Sequence, residues 1–487
     1  MISSKIIIES RLGRVRGTDE GGVLTFLGIP YAEPPIGKRR FMPPVKTSGW
    51  EQTLDALRFP NRAMQPIRPS KVKKPIAGEL NEDCLYLNIV APRTTDTLKP
   101  VMFWIHGGAF VTGSANEYDG SVLASQGDVV VVTVNFRCGA FGFLDASALG
   151  NDYEHSMSNG VLDLITALHW VQENIREFGG DPGNVTIFGE SSGGSLVMGL
   201  IAAPGADNLF HKAVAHSATC VYRSPTDRSQ SIAKRMGIPV SDYLERLLEM
   251  PAQEIVDLDI PFGAVVDGTI ITRNTFEAIA DRGENGVPLI TGTNLREGTL
   301  YTQGDDSDQD HYSSFNEVLA GEMLRGGDPS VYLAGLEDAY PNSTPGKYHE
   351  MIWTDMFRCI CIDAAAAANA AGSRAWLYRF DFPANLPGFE HLGATHSSEM
   401  AFTFNTFARS DSHACITYHD REDPEVQRLA STWSQAIARF ARTGDPNGSD
   451  LPDWPIYDVD LRSCLILDKN IRIEHDPDRC HRDLWQL

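Results

Sequence analysis

Val185-Thr186-Ile187-Phe188-Gly189-Glu190-Ser191-Ser192-Gly193-Gly194 decides how this chain is read. Four apolar or β-branched residues form a buried strand, two glycines bracket a serine, and Leu196-Val197-Met198-Gly199-Leu200 can start a helix. Strand, tight turn and helix together strain a serine's backbone and lift its Oγ above a sheet. Glycines two before and two after that serine are needed because the flanking elements crowd the turn. The two adjacent serines are not equivalent. Were Ser192 the nucleophile, the residue two before it would be Glu190, too bulky for the crowded position, so Ser191 is the candidate. The bare G-x-S-x-G pattern also occurs in plain turns and in glycine-rich phosphate loops. A phosphate loop would want a lysine after the glycines, and none follows here.

Working upstream, the apolar run 101–105 ends in His106-Gly107-Gly108-Ala109-Phe110. Residues with little or no side chain let backbone N–H groups approach a substrate, which is what an oxyanion hole requires. Gly108 and Ala109, with the N–H of Ser192, are the candidate donors. A simple glycine turn is the alternative, and the position upstream of the serine turn favours the donor reading.

Further strands are expected at 85–90, 129–134, 289–293 and 376–382, several of them apolar throughout, as strands covered on both faces should be. Helical spacing marks 162–178, and the alanine-rich run 363–371 ends at Gly372, a suitable helix stop. Strands alternating with helices predict the α/β class, a large mostly parallel sheet with helices on both faces. The stretches 221–260 and 301–375 lie between strands and read as insertions capping the sheet's C-terminal edge. No repeat or linker divides residues 1–487, so a single domain is expected.

Composition narrows the partners. Lys plus Arg number 42 against 64 Asp plus Glu in 487 residues, a formal net charge of −22. That balance disfavours nucleic acid and anionic membrane surfaces, which need clustered basic residues. No apolar run approaches the roughly 18 residues of a membrane span. Lys5 is followed by only three isoleucines before Glu9, short of the apolar core of a signal peptide. Metal sites are not expected. Cys359 and Cys361 are too closely spaced for the usual zinc pair, and His413 and His419 stand six apart in an expected loop.

Other stretches then acquire meaning together. Phe178-Gly179-Gly180 with 185–193, Glu82-Asp83-Cys84-Leu85-Tyr86-Leu87-Asn88, and Phe26 through Pro35 occur in order. So do Asn135-Phe136-Arg137 with Phe141-Gly142-Phe143-Leu144, Thr443 through Asn447, and Trp454-Pro455. On these motifs the chain resembles the type-B carboxylesterases, an α/β-hydrolase family that also contains the cholinesterases, over nearly its whole length.

The resemblance implies the remaining members of a catalytic triad. Its acid falls on Glu297 in Asn294-Leu295-Arg296-Glu297-Gly298, and its base on His396 in Gly393-Ala394-Thr395-His396. Without it, Glu297 would be one carboxylate among 64 and His396 one histidine among 13. The family pattern also points to Glu190, Glu399 and Ser217 beside the triad. Two departures stand out: Ala218 and Ser397 occupy positions where the family usually has glycine.

The implied reaction is hydrolysis of a small-molecule carboxylic ester through an acyl-enzyme, with no cofactor and no metal. Carbamates, amides or aromatic diesters are alternative substrates of the same machinery, and a non-catalytic binding protein is a remote one. A choline ester is disfavoured, because Lys74 stands where cholinesterases place a cation-binding tryptophan. Secreted relatives pair the cysteine matching Cys84 with one upstream, and no cysteine precedes Cys84 here. A cytoplasmic location is therefore expected.

Overall fold

A computed structural model describes residues 4–67, 76–93, 97–219, 221, 225–303, 316, 320, 324, 328–409 and 418–485. Lys74 and His413, used above, lie outside them. One sheet of thirteen strands runs through the described residues. In chain order the strands are β1 (Ser4–Ser10), β2 (Gly13–Glu20), β3 (Val23–Pro30), β4 (Leu54–Asp55), β5 (Tyr86–Pro92), β6 (Lys99–Ile105) and β7 (Val130–Val134). They continue as β8 (Gly180–Glu190), β9 (Lys212–His216), β10 (Leu289–Asn294), β11 (Ala375–Phe380), β12 (Ser463–Leu467) and β13 (Arg472–His475).

The spatial order is β1-β2-β3-β5-β7-β6-β8-β9-β10-β11-β12-β13, with β4 pairing β2. From β7 to β12 every pairing is parallel, and antiparallel strands finish both edges. Each of the six expected strands is present. The N-terminal antiparallel strands, β9 and the final pair were not among the expectations. β9 and β12 are buried throughout but only five residues long, and β13 is a four-residue, partly exposed edge strand.

The central strands are buried on both faces, which explains their unbroken apolar character. Successive side chains of β6 point to opposite sides. Val101, Phe103 and Ile105 enter one core with Val130, Val132 and Val134, while Met102 and Trp104 enter the other with Val131 and Phe188. Helix Asn159–Asn174 covers the first face and helix Pro424–Thr443 the second.

The two expected cap segments differ in placement. Helices Ser229–Met236, Tyr243–Glu249 and Ala252–Asp257 build a small separate core with Phe41, Met64 and Phe141. Arg40 anchors them, donating to the Leu247, Leu248 and Met250 carbonyls while pairing with Glu82. Within 301–375, by contrast, the 26-residue helix Pro345–Ala370 packs directly on β10 and β11. Its buried face, including Cys359, Cys361, Ala364 and Ala365, is small enough to lie close on the sheet.

One fully buried ion pair supports the fold under the active edge. Arg137 Nε and Nη2 donate to Asp163 at 2.9 and 2.7 Å, and the Arg137 backbone N–H adds a third bond to that carboxylate. Replacing only Arg137 with methionine leaves the Asp163 charge stranded in the core, at a cost of about 3–5 kcal/mol. A lowered guanidinium midpoint is the expected result, with Arg137→Met/Asp163→Leu recovering most of the loss. Equal midpoints for wild type and the single variant would contradict this.

Candidate active site

β6, β8, β10 and β11 end at the same edge of the sheet, with β9 between β8 and β10, and the four loops leaving their C-terminal ends carry the candidate residues. The first follows β8. Ser191 has φ +56° and ψ −126°, a backbone conformation that L-residues rarely adopt, and helix Ser192–Ile201 begins immediately after it. Crowding around this turn is extreme. A Cβ on Gly193 would sit 2.1 Å from the Ile105 carbonyl oxygen, and one on Gly189 2.6 Å from the Gly193 backbone. The two glycines of the motif are therefore required by space, as the sequence reading supposed. Ser192 is the first residue of its helix, so its N–H has no intrahelical partner.

The second loop follows β6. A Cβ on Gly107 would lie 3.1 Å from Ser191 Cβ, so this loop runs directly beside the serine. Gly108, Ala109 and Phe110 all have positive φ, +119°, +55° and +63°. The Gly108 carbonyl turns into its own loop and accepts from the Thr112 N–H and hydroxyl. Gln65 braces the far end, donating to the Gly113 carbonyl and accepting from its N–H, both at 2.9 Å. Nothing in the sequence marks Gln65 for this role, since it lies 48 residues from its partner.

The third loop follows β10 and carries Glu297, fully buried. His396, from the connection after β11, donates from Nδ1 to Glu297 Oε2 at 2.5 Å. Glu297 Oε1 accepts from the Ser217 hydroxyl and the Asn294 N–H, both at 2.6 Å. On the other side of the ring, His396 Nε2 lies 3.1 Å from Glu190 Oε1, beside the serine turn. The structure thus pairs His396 with Glu297 and sets the imidazole against Glu190, the residue before Ser191, while Gly107, the residue before Gly108 and Ala109, lies beside the serine.

Three buried carboxylates, Glu190, Glu297 and Glu399, surround this imidazole, and they do not ionise alike. Burial acts to raise Glu297, but the His396 charge and the hydrogen bonds from His396, Ser217 and Asn294 outweigh it and hold this carboxyl below its ordinary value. Glu399 is pushed up to about 8 by burial and by the charges of Glu297 and Glu190. It accepts from Asn294 Nδ2 at 2.7 Å and from the Tyr378 hydroxyl at 3.2 Å. Burial pulls His396 down, while Glu190 and Glu297 outweigh it and lift the imidazole to about 9.

An aromatic wall stands over His396. Phe357 lies 4.6 Å from the His396 ring, and Tyr301 stacks on Trp353 at 4.1 Å and reaches the same imidazole at 5.8 Å. Trp353 and Phe357 are one turn apart on helix Pro345–Ala370, a spacing that fits any packed helix and so carried no functional signal. The same helix grips the loop that carries Glu297: Glu350 pairs with Arg296, Thr354 accepts from the Gly298 N–H, and Arg358 donates to the Leu295 carbonyl. Of the two departures from the family pattern, Ala218 is buried with room left by Gly194 opposite, where a Cβ would come to 3.1 Å. Ser397, with φ +67°, donates to Glu190 Oε1 at 2.6 Å.

Among the described residues no helix is long and apolar enough to cross a membrane.

Comparison with known proteins agrees with this geometry. The model of the carboxylesterase family matches residues 4–485. The para-nitrobenzyl esterase of Bacillus subtilis is 36% identical over 97% of this chain and 96% of its own length. Human carboxylesterase 3 is 32% identical over 92% of this chain and 85% of its own. Among solved structures, a para-nitrobenzyl esterase superposes with a TM-score of 0.85 at 33% identity, covering 99% of both chains. A Geobacillus stearothermophilus carboxylesterase gives 0.83 at 33% identity, covering 99% of this chain and 100% of that one. With the family matched from end to end and the serine turn in place on a mostly parallel sheet, the chain belongs to the carboxylesterase family and is a carboxylic ester hydrolase of the α/β-hydrolase fold.

Proposed function

We propose that Ser191 is the nucleophile of this esterase, His396 its general base and Glu297 the acid that orients the base. Ser191 Oγ attacks the ester carbonyl as His396 Nε2 takes its proton. The N–H groups of Gly108, Ala109 and Ser192 hold the developing oxyanion. His396 then protonates the leaving alcohol, and water repeats the sequence on the acyl-enzyme. No cofactor enters these steps. The observation that carries the assignment is the buried 2.5 Å bond between His396 Nδ1 and Glu297, formed beside a serine held at φ +56°. The test is labelling with a fluorophosphonate followed by peptide mapping. One adduct, on Ser191, is expected; a protein that stays unlabelled, as a binding-only relative would, or an adduct elsewhere would defeat the assignment.

The wall of Tyr301, Trp353 and Phe357 favours neutral esters whose acyl or alcohol part presents an apolar or aromatic face, as the name para-nitrobenzyl esterase states for a relative. The whole of 1–487 is read as one hydrolase domain, with the helices of 221–260 as a cap insertion. A cytoplasmic location is supported by the cysteines: Cys84, Cys138, Cys359, Cys361, Cys464 and Cys480 are all free thiols.

A further inference from the structure

Glu190 has no step in the scheme above, yet its carboxylate is buried against the base. Its two oxygens face different partners. Oε1 lies 3.1 Å from His396 Nε2 and accepts the Ser397 hydroxyl at 2.6 Å. Oε2 fills the space beside Gly107, where a Cβ would come within 2.8 Å of it. The carboxylate is thus wedged between the oxyanion loop and the imidazole. Ser397 holds it there from a left-handed backbone conformation that glycine would adopt without strain. A strained serine whose hydroxyl meets a buried carboxylate is an observation that asks for a role.

We propose that Ser397 is a positioning residue for proton transfer, fixing Glu190 as an ionised carboxylate against Nε2 so that the imidazolium of each half-reaction is held from both ring nitrogens. A hydroxyl donating to a carboxylate favours its charged form. Burial and the Glu297 charge leave the Glu190 carboxyl above its ordinary value, and His396 and Ser397 hold that rise back. Without the Ser397 hydroxyl, Glu190 takes up a proton more readily and the base loses one of its two counter-charges.

The groups facing His396 are Glu190 from the end of β8, Glu297 and Tyr301 from the loop after β10, and Glu399 from its own loop. Helix Pro345–Ala370 presents the uncharged ring of Phe357. Tyr301 is raised well above its ordinary value by burial and by Glu297 and Glu190, so it stays neutral. The Ser397 hydroxyl bonds Glu190 and neither Glu297 nor Glu399, so Glu190 is the group its loss acts on directly.

The test is the pH profile of Ser397→Gly with p-nitrophenyl acetate. Glycine accepts φ +67°, so the variant loses the hydroxyl and relieves strain. Expected are a kcat lowered about tenfold, a KM within about twofold of wild type, and an acid limb of kcat/KM moved down by about one pH unit. Glu190→Gln should move the limb the same way, and the double variant should match Glu190→Gln alone. An unmoved limb, or a further shift in the double variant, would overturn the proposal, since a merely structural serine would lower activity without moving the limb. The inference rests on His396 being the base. His396→Gln with near-normal turnover would strike that assignment, whereas an unmoved limb in Ser397→Gly that still titrates fully with fluorophosphonate strikes only the role of Ser397.

Discussion

Ser191→Ala is expected to lower kcat about a million-fold, as loss of a triad serine does elsewhere. The change is close to a pure deletion of Oγ. Alanine keeps the Cβ, so the strained turn at φ +56° and the packing of Gly193 against the Ile105 carbonyl are retained. Residual turnover above the uncatalysed rate should survive, about 10³–10⁴-fold, because the donors of the oxyanion loop and the substrate wall remain. Turnover of p-nitrophenyl acetate, corrected for the background rate, is the measurement. Activity near that of wild type would remove Ser191 from the mechanism and leave Ser192 as the serine to examine.

Glu297→Gln should cost about 10⁴-fold in kcat, chiefly through the tautomer of the base. The Asn294 N–H and the Ser217 hydroxyl both donate to Oε1, so the amide that replaces the carboxylate must keep its oxygen there. Its NH₂ is then turned toward His396 Nδ1, which becomes an acceptor. The ring proton moves to Nε2, where it blocks acceptance of the serine's proton. The pH profile checks the same argument. In the wild type His396 is lifted toward 9, so kcat/KM should rise with pH through a midpoint above the ordinary 6.5. Removing the Glu297 charge withdraws part of that lift, so the residual activity should reach its plateau at lower pH. A profile that moves upward, or a loss below tenfold, would contradict the assignment of Glu297.

How much of this was legible depends on how local each signal is. The serine turn could be read directly, because strand, glycines and helix lie within seventeen consecutive residues, 185–201, and the crowding that demands the glycines is crowding of that segment with itself and β6. Glu297 and His396 had no such signature. They meet across 99 residues, and only the family pattern singled them out. Gln65, Tyr301 and Trp353 were invisible because their roles come from partners brought near by the fold. Ser397 falls between these cases. Its difference from the family pattern could be read, whereas its bond to Glu190, 207 residues away, could not.

Helix Pro345–Ala370 has a practical consequence for engineering. Glu350, Thr354 and Arg358 recur at every fourth residue and hold the acid loop, while Trp353 and Phe357 beside them form the wall over the base. Exchanging 301–375 wholesale to graft another enzyme's substrate preference would carry off the clamp along with the wall. A chimera that changes selectivity and still turns over must cut before Pro345, or keep that every-fourth-residue stripe and alter only what stands next to it.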